Sequence, residues 1–200
     1  NPTVTEPLDL HITKPGEHRQ QFAAFLTYAA LEHMDGYTAQ EWRNAITALP
    51  QEGLQESAQA LVQALEGAAD QREEYWKNRI QPFWQHHWPK SKKLASTRIS
   101  ESLTQLCLEA GSEFPAALST VCDWLLPIEN TYYIFERLNE LKLCCRFPNQ
   151  VLQLLEKTIT DQHWLPPELG QCLDIIAQAD ANLAQNPNYQ RLRDYTRKWG

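Results

Sequence analysis

Four times along the 200-residue chain an apolar residue is followed directly by proline at the head of a helix-period apolar pattern: Leu49-Pro50, Phe114-Pro115, Phe147-Pro148 and Leu165-Pro166. Proline has no backbone N–H to donate and its ring locks φ in the helical range, so it belongs in the first turn of a helix and ends whatever precedes it. These pairs cut the chain into short helices. Two of the stretches also resemble each other: GSEFPAALSTVCDWLL and LCCRFPNQVLQLLEKTI align on their Phe-Pro steps, with Leu118, Val121 and Cys122 matching Val151, Leu154 and Leu155. A unit of this kind reads as a two-helix hairpin whose second helix begins at proline. Hairpins that cannot bury an apolar face alone gain stability by stacking.

The expected fold is therefore all-α, an irregular α-hairpin stack of HEAT-like, α-solenoid or helical-bundle type with about nine to ten helices. Glycine is scarce, at 7 residues, and unbranched Leu, Ala, Gln and Glu dominate, which favours helix because such side chains lose little rotamer freedom there. The apolar periodicity places helices over 17–34, from Thr38 to Leu49, and from the Pro50 step to Gly67. The next runs over 70–87, and the later ones over 96–110, 112–126, 131–143, 148–160, 166–179 and 187–199. In the first, Phe22, Phe25, Leu26, Ala29 and Ala30 form the apolar face. Thr38 and Glu41 have the spacing of a capping box, Asp35-Gly36 ends the helix before it, and Asn186-Pro187 supplies an N-cap and a first-turn proline. Pro82 lies inside the 70–87 pattern and predicts a kink or break. By region, 1–16 reads as an extended lead-in, 17–68 as N-terminal helical hairpins and 69–200 as a C-terminal helical repeat region, together one continuous α domain. Opening on Asn1, the chain reads as a piece of a longer protein.

The segment from Trp76 to Arg98, WKNRIQPFWQHHWPKSKKLASTR, joins three tryptophans and two adjacent histidines to six basic residues with no acidic side chain. Elsewhere 12 basic residues face 25 acidic ones, so charge is segregated within a chain of net charge −7. Basic side chains neutralise phosphates and indoles stack on bases, so a nucleic-acid-binding module built on this segment is one reading. Helical spacing favours another: Trp76, Ile80, Phe83 and His87 share one stripe with Trp84 and Trp88 on its flank, which reads as burial. Lys90, Lys92, Lys93 and Arg98 lie past the helix end and form a basic patch even if the rings are interior. Arg191, Arg193 and Arg197 form a second cluster near the C-terminus, which equally suits the dipole of the last helix. These seven residues are the candidate binding residues.

Arg79 and His86 form an Arg-x6-His pattern similar to the loosest signature of HEPN ribonucleases, in which histidine is the general base and arginine the phosphate clamp. Ile80 after the arginine and Pro82 between the pair depart from that pattern. His86-His87 and Cys144-Cys145 are adjacent pairs that diverge by about 100° on a helix, and no C-x-x-C occurs, so no metal site is expected. The chain shows no Gly-rich phosphate loop, nucleophile elbow or HExxH. We expect no catalytic residues and no cofactor. Five cysteines within apolar patterns suit reduced thiols in a cytoplasmic protein, and no apolar run nears the ~20 residues that cross a bilayer.

At FWQHHWPKSKK, FPAALSTVCDWLLP and LGQCLDIIAQADANLAQNPNYQRLRDYTR the sequence resembles an uncharacterised helical domain at the C-terminus of large bacterial proteins, often sirtuin-like and tied to anti-phage defence. The shared elements are Trp88-Pro89-Lys90 after a Trp-rich helix, the later Phe-Pro helix start and a terminal QRLRDY helix, covering roughly 70 to 198. The resemblance implies a sirtuin-like NAD-consuming domain elsewhere in the parent. This part would be its non-catalytic scaffold, sensor or assembly region. Its partners would be protein: its own upstream domains, oligomer mates or a phage protein. No functional residue is carried over, because the matching motifs are packing motifs.

Overall fold

The computed structural model describes residues 15–33, 39–159 and 167–199, and those residues are all-α with no strand among them. The helices are α1 (Pro15–Glu32), α2 (Ala39–Thr47), α3 (Gln51–Gly67), α4 (Arg72–Tyr75), α5 (Gln81–His86) and α6 (Thr97–Glu109). They continue with α7 (Phe114–Val121), α8 (Tyr132–Glu140), α9 (Leu143–Arg146), α10 (Pro148–Thr158), α11 (Glu168–Ala179) and α12 (Pro187–Trp199). Residues 1–14 of the expected lead-in, the Asp35-Gly36 stop, the Thr38 half of the capping box and the Leu165-Pro166 step lie outside the described residues, whereas Pro15 and Gly16, expected to be extended, already belong to α1.

In packing order α1 lies on α3, α3 on α6, α6 on α8 and α8 on α11, with α7, α9, α10 and α12 closing the side and far end. One apolar cluster runs through the whole series, from Leu26 on α1 to Leu192 on α12. Each middle helix therefore buries more than one face. On α6 the residues Ile99, Leu103, Leu106 and Cys107 are fully buried. The two Phe-Pro steps meet: the Phe114 and Phe147 rings lie 6.0 Å apart where α7 and α10 begin. Val151, Leu154 and Leu155 are fully buried, as are Leu118 and Val121, two of their counterparts in the sequence alignment.

Several boundaries differ from the expectation, each for a local reason. The core face of α1 carries Ala23, Leu26, Thr27, Ala30 and Leu31, whereas Phe22 and Phe25 point to solvent at 57% and 63% exposure. Small residues let α1 approach α3 closely enough for a buried Thr27 to Ser57 hydrogen bond of 2.7 Å. The 131–143 helix is divided at Lys142, whose backbone is left-handed (φ 54°, ψ 35°). The 112–126 helix gives way at Cys122–Trp124 to a tighter 3-10 turn, and Leu125 is extended. Ser100, fully buried on α6, holds that exit by donating to the Leu126 carbonyl (2.7 Å) and accepting from its N–H (2.8 Å). The expected Asn186 cap forms, accepting from the Asn188 N–H at 2.9 Å, and Ser96 caps α6 by accepting from the Ile99 N–H at 3.3 Å.

Pro82 does not break its helix. The chain runs helically from Arg72 to His86 through a π-helical turn at Trp76–Ile80, where the Gln81 N–H donates to the Trp76 carbonyl five residues back. The wider turn ahead of the proline takes up the residue that an ordinary i−4 ladder would strain against its ring. Among the described residues no helix is long and apolar enough to cross a membrane.

Candidate functional site

The three tryptophans of the basic segment lie in the core. Trp76 and Trp88 are 0% and 2% exposed and Trp84 is 8% exposed. Trp84 and Trp88, one helical turn apart, stack with ring centroids at 4.6 Å and planes within 12°. Trp124, delivered by the 3-10 turn after α7, meets both edge-on. An edge-to-face third ring against a stacked pair matches the quadrupole preference of aromatic rings. His87 is buried beside Phe83, and neither ring nitrogen has a hydrogen-bond partner within the protein. Burial, then the nearby charges of His86 and Arg43, hold its pKa below the usual 6.5. This imidazole is a neutral core group. Trp84 and Trp88 are thus occupied with each other and with Trp124, and Trp76 is fully buried.

The candidate basic residues are mostly engaged inside the molecule. Lys90 donates to the Gln85 carbonyl at 2.8 Å, and Lys92 pairs with Asp123 at 2.7 Å, which holds that carboxyl below its ordinary range. Both partners of the second pair are exposed, so it contributes little and stays open to competition. Arg193 donates to the Gly170 carbonyl (3.2 Å) and to Asp174 (2.5 Å), fastening α12 to α11. Arg197 lies 3.6 Å from Asp194 on its own helix, and Arg191 is also engaged. Lys93 is exposed past α5, and Arg98 is exposed in the first turn of α6. The patch therefore divides, because Arg98 opens onto a groove. Arg79, half of the ribonuclease-like pair, donates to the Leu31 carbonyl near the end of α1 at 3.1 Å, while His86 is exposed two turns further on. Among the described residues no cluster of three or more His, Cys, Asp or Glu is placed to hold a metal ion.

The groove next to Arg98 encloses about 810 Å³ between α3, α6 and α8. Polar residues of α6 at helical spacing, Arg98, Ser102, Gln105 and Glu109, face it along one side, opposite the buried Ile99, Leu103 and Leu106. Gln55 and Gln59 on α3 and Tyr133 and Arg137 on α8 supply the walls, with Asn130 at one end. At its base Glu109, 4% exposed, is held between two guanidiniums, Arg72 at 2.6 Å and Arg137 at 2.6 Å. Two short charge-assisted bonds offset the cost of burying that carboxylate. Burial works against the Arg137 charge, but its hydrogen bonds to Glu109 and Glu140 outweigh this and raise its pKa. The Gln105 amide nitrogen donates to Glu66 at 3.0 Å, and a carboxylate only accepts, which fixes the amide with its nitrogen toward Glu66.

Sequence reasoning missed this groove. Its residues sit on the polar sides of helices, which read as solvated faces, and only the i, i+4, i+7 and i+11 spacing of Arg98, Ser102, Gln105 and Glu109 hints that one side of α6 is polar along its length.

Comparison with known proteins finds no matching family model. A protein of Sinorhizobium fredii (strain NBRC 101917 / NGR234), "Uncharacterized protein y4cA", is 29% identical over 124 residues, or 61% of this chain. That match is 10% of the rhizobial protein, so the chain spans a small part of its relative. No solved structure matches.

Proposed function

We propose that the chain is a non-catalytic protein-interaction module in the cytoplasm, with the groove between α3, α6 and α8 as its recognition surface. In this reading it is the scaffold, sensor or assembly region of a larger bacterial protein. The resemblance to the C-terminal domain of sirtuin-like anti-phage proteins supports that role, and a relative of which the matched segment is only 10% fits a place within a larger protein. The observation that carries the reading is the groove's inventory. Arg98 offers a cation with no intramolecular ion pair among the described residues, and Gln105 offers an amide held in place by Glu66. Gln55 and Asn130 add adaptable carboxamides nearby. A cation beside fixed and adaptable amides, on a wall that also carries Glu101 and Glu136, suits an extended peptide whose N–H and C=O groups pair with the amides, whose acidic side chain meets Arg98 and whose neighbouring basic one meets those carboxylates.

The test is selection of random peptides on the immobilised chain, followed by calorimetry of the enriched sequences. Peptides bearing an acidic residue are expected to enrich, and Arg98→Glu to weaken them at least about tenfold, as for loss of a charge-assisted pair plus a new repulsion. Binders indifferent to both Arg98→Glu and Gln105→Ala would remove the groove as the site. RNA cleavage by the purified chain that Arg79→Ala abolishes would replace the reading with a ribonuclease.

A further inference from the structure

We infer that Cys144 and Cys172 are a modification site, a buried dithiol that a peroxide converts to a disulfide linking α9 to α11. The two Sγ atoms lie 2.7 Å apart, on helices that pack directly against each other. Forming the bond, ~2.05 Å long, needs a closing movement of roughly 0.7 Å. The thiols are 3% and 5% exposed, but both line a cavity of about 450 Å³ whose wall also includes Cys145, Tyr132 and Ile175, all of them exposed. A small oxidant reaches the pair through that cavity, whereas a bulky alkylating reagent meets Cys145 first.

In the reaction one thiol of the pair loses its proton and its sulfur attacks a peroxide oxygen. The O–O bond breaks, giving a sulfenic acid and, with the proton, one water. The second sulfur then attacks the sulfenic sulfur; the S–S bond forms, the S–O bond breaks, and hydroxide leaves with the second thiol proton as another water. Two thiols are oxidised by two electrons and the peroxide is reduced to two waters. The hydrogen bond between the thiols and their burial raise the Cys172 pKa above its ordinary range, which keeps its thiolate scarce and makes the oxidation slow at neutral pH.

The pair is 28 residues apart in sequence, so the closed form ties a loop of useful length and fixes the wall of the cavity. The experiment treats the full chain with hydrogen peroxide, blocks remaining thiols and maps peptides without reductant. Because Cys144 and Cys145 fall on one tryptic peptide, it is run in the Cys145→Ser background. A Cys144–Cys172 cross-linked peptide is expected there, released by dithiothreitol, with a melting temperature higher by roughly 5–10 °C in the oxidised protein. Adding Cys172→Ala abolishes both effects. A folded Cys145→Ser protein that yields only alkylated thiols or separate sulfinic acids overturns the proposal, as does a cross-link that exists only when Cys145 is present.

Discussion

Trp84 stacks on Trp88 at 4.6 Å, and the pair takes Trp124 on its edge, so three of the seven tryptophans form one aromatic contact between α5 and the turn after α7. Truncation of the Trp84 ring removes one stacked and one edge-to-face contact and leaves a cavity. Trp84→Ala is expected to cost ~3–5 kcal/mol, read as a lower urea midpoint. An unchanged midpoint alongside lost peptide binding would instead make the ring a contact residue.

Burial of these rings was legible because their spacing is local: Trp76, Ile80, Phe83 and His87 fall on one face of any helix. The fate of the lysines and arginines was not, since Asp123 and Asp174, which pair with Lys92 and Arg193, come from other helical segments that only the fold brings close. The same holds for the exposed Phe22 and Phe25. On α1 two apolar stripes compete, and the narrower, alanine-bearing one wins because it lets α3 come close. Pro82 reads as a break only if the helix keeps an α-ladder throughout, and a π turn is a solution that periodicity does not announce. The groove stayed hidden because a polar helix face in sequence carries no mark of whether water or two neighbouring helices lie opposite.

Glu109 joins α6 to α4 and α8 through Arg72 and Arg137. Glu109→Ala leaves two guanidiniums facing each other across an emptied site. Loss of one member of a buried ionic cluster costs ~3–5 kcal/mol, and partial exposure of both arginines lowers this toward about 2–3 kcal/mol. Chemical denaturation of the variant reads the loss. A change no larger than that of an ordinary surface substitution, about 0.5 kcal/mol, would mean the triad contributes nothing net.

Lys142 occupies left-handed backbone without a glycine's freedom, at the break between α8 and α9. Its side chain is exposed. Lys142→Gly relieves the Cβ clash and loses some stability through the more flexible unfolded chain, for a net gain of about 0.5–1 kcal/mol. A thermal melt decides the sign, and a variant less stable than the parent would show that the lysine stem packs usefully there.

His87 gives the fold a pH dependence of its own. Its folded pKa lies below the ordinary 6.5, because burial disfavours the imidazolium and His86 and Arg43 add repulsion. Below pH 6.5 the unfolded chain therefore binds a proton that the folded chain refuses. Stability from this residue is fully present above pH 6.5 and is lost as pH falls from there toward the lower folded value. Carboxylates such as Glu73 and Asp123, held below their usual range by Ser112 and Lys92, act in the same direction only in more acid solution. The two effects separate between about pH 7.5 and about pH 5. Urea midpoints across that interval are expected to fall in the parent and to fall less in His87→Phe, which keeps an aromatic ring at the site but cannot titrate. Parallel slopes in the two proteins would place the pH dependence elsewhere.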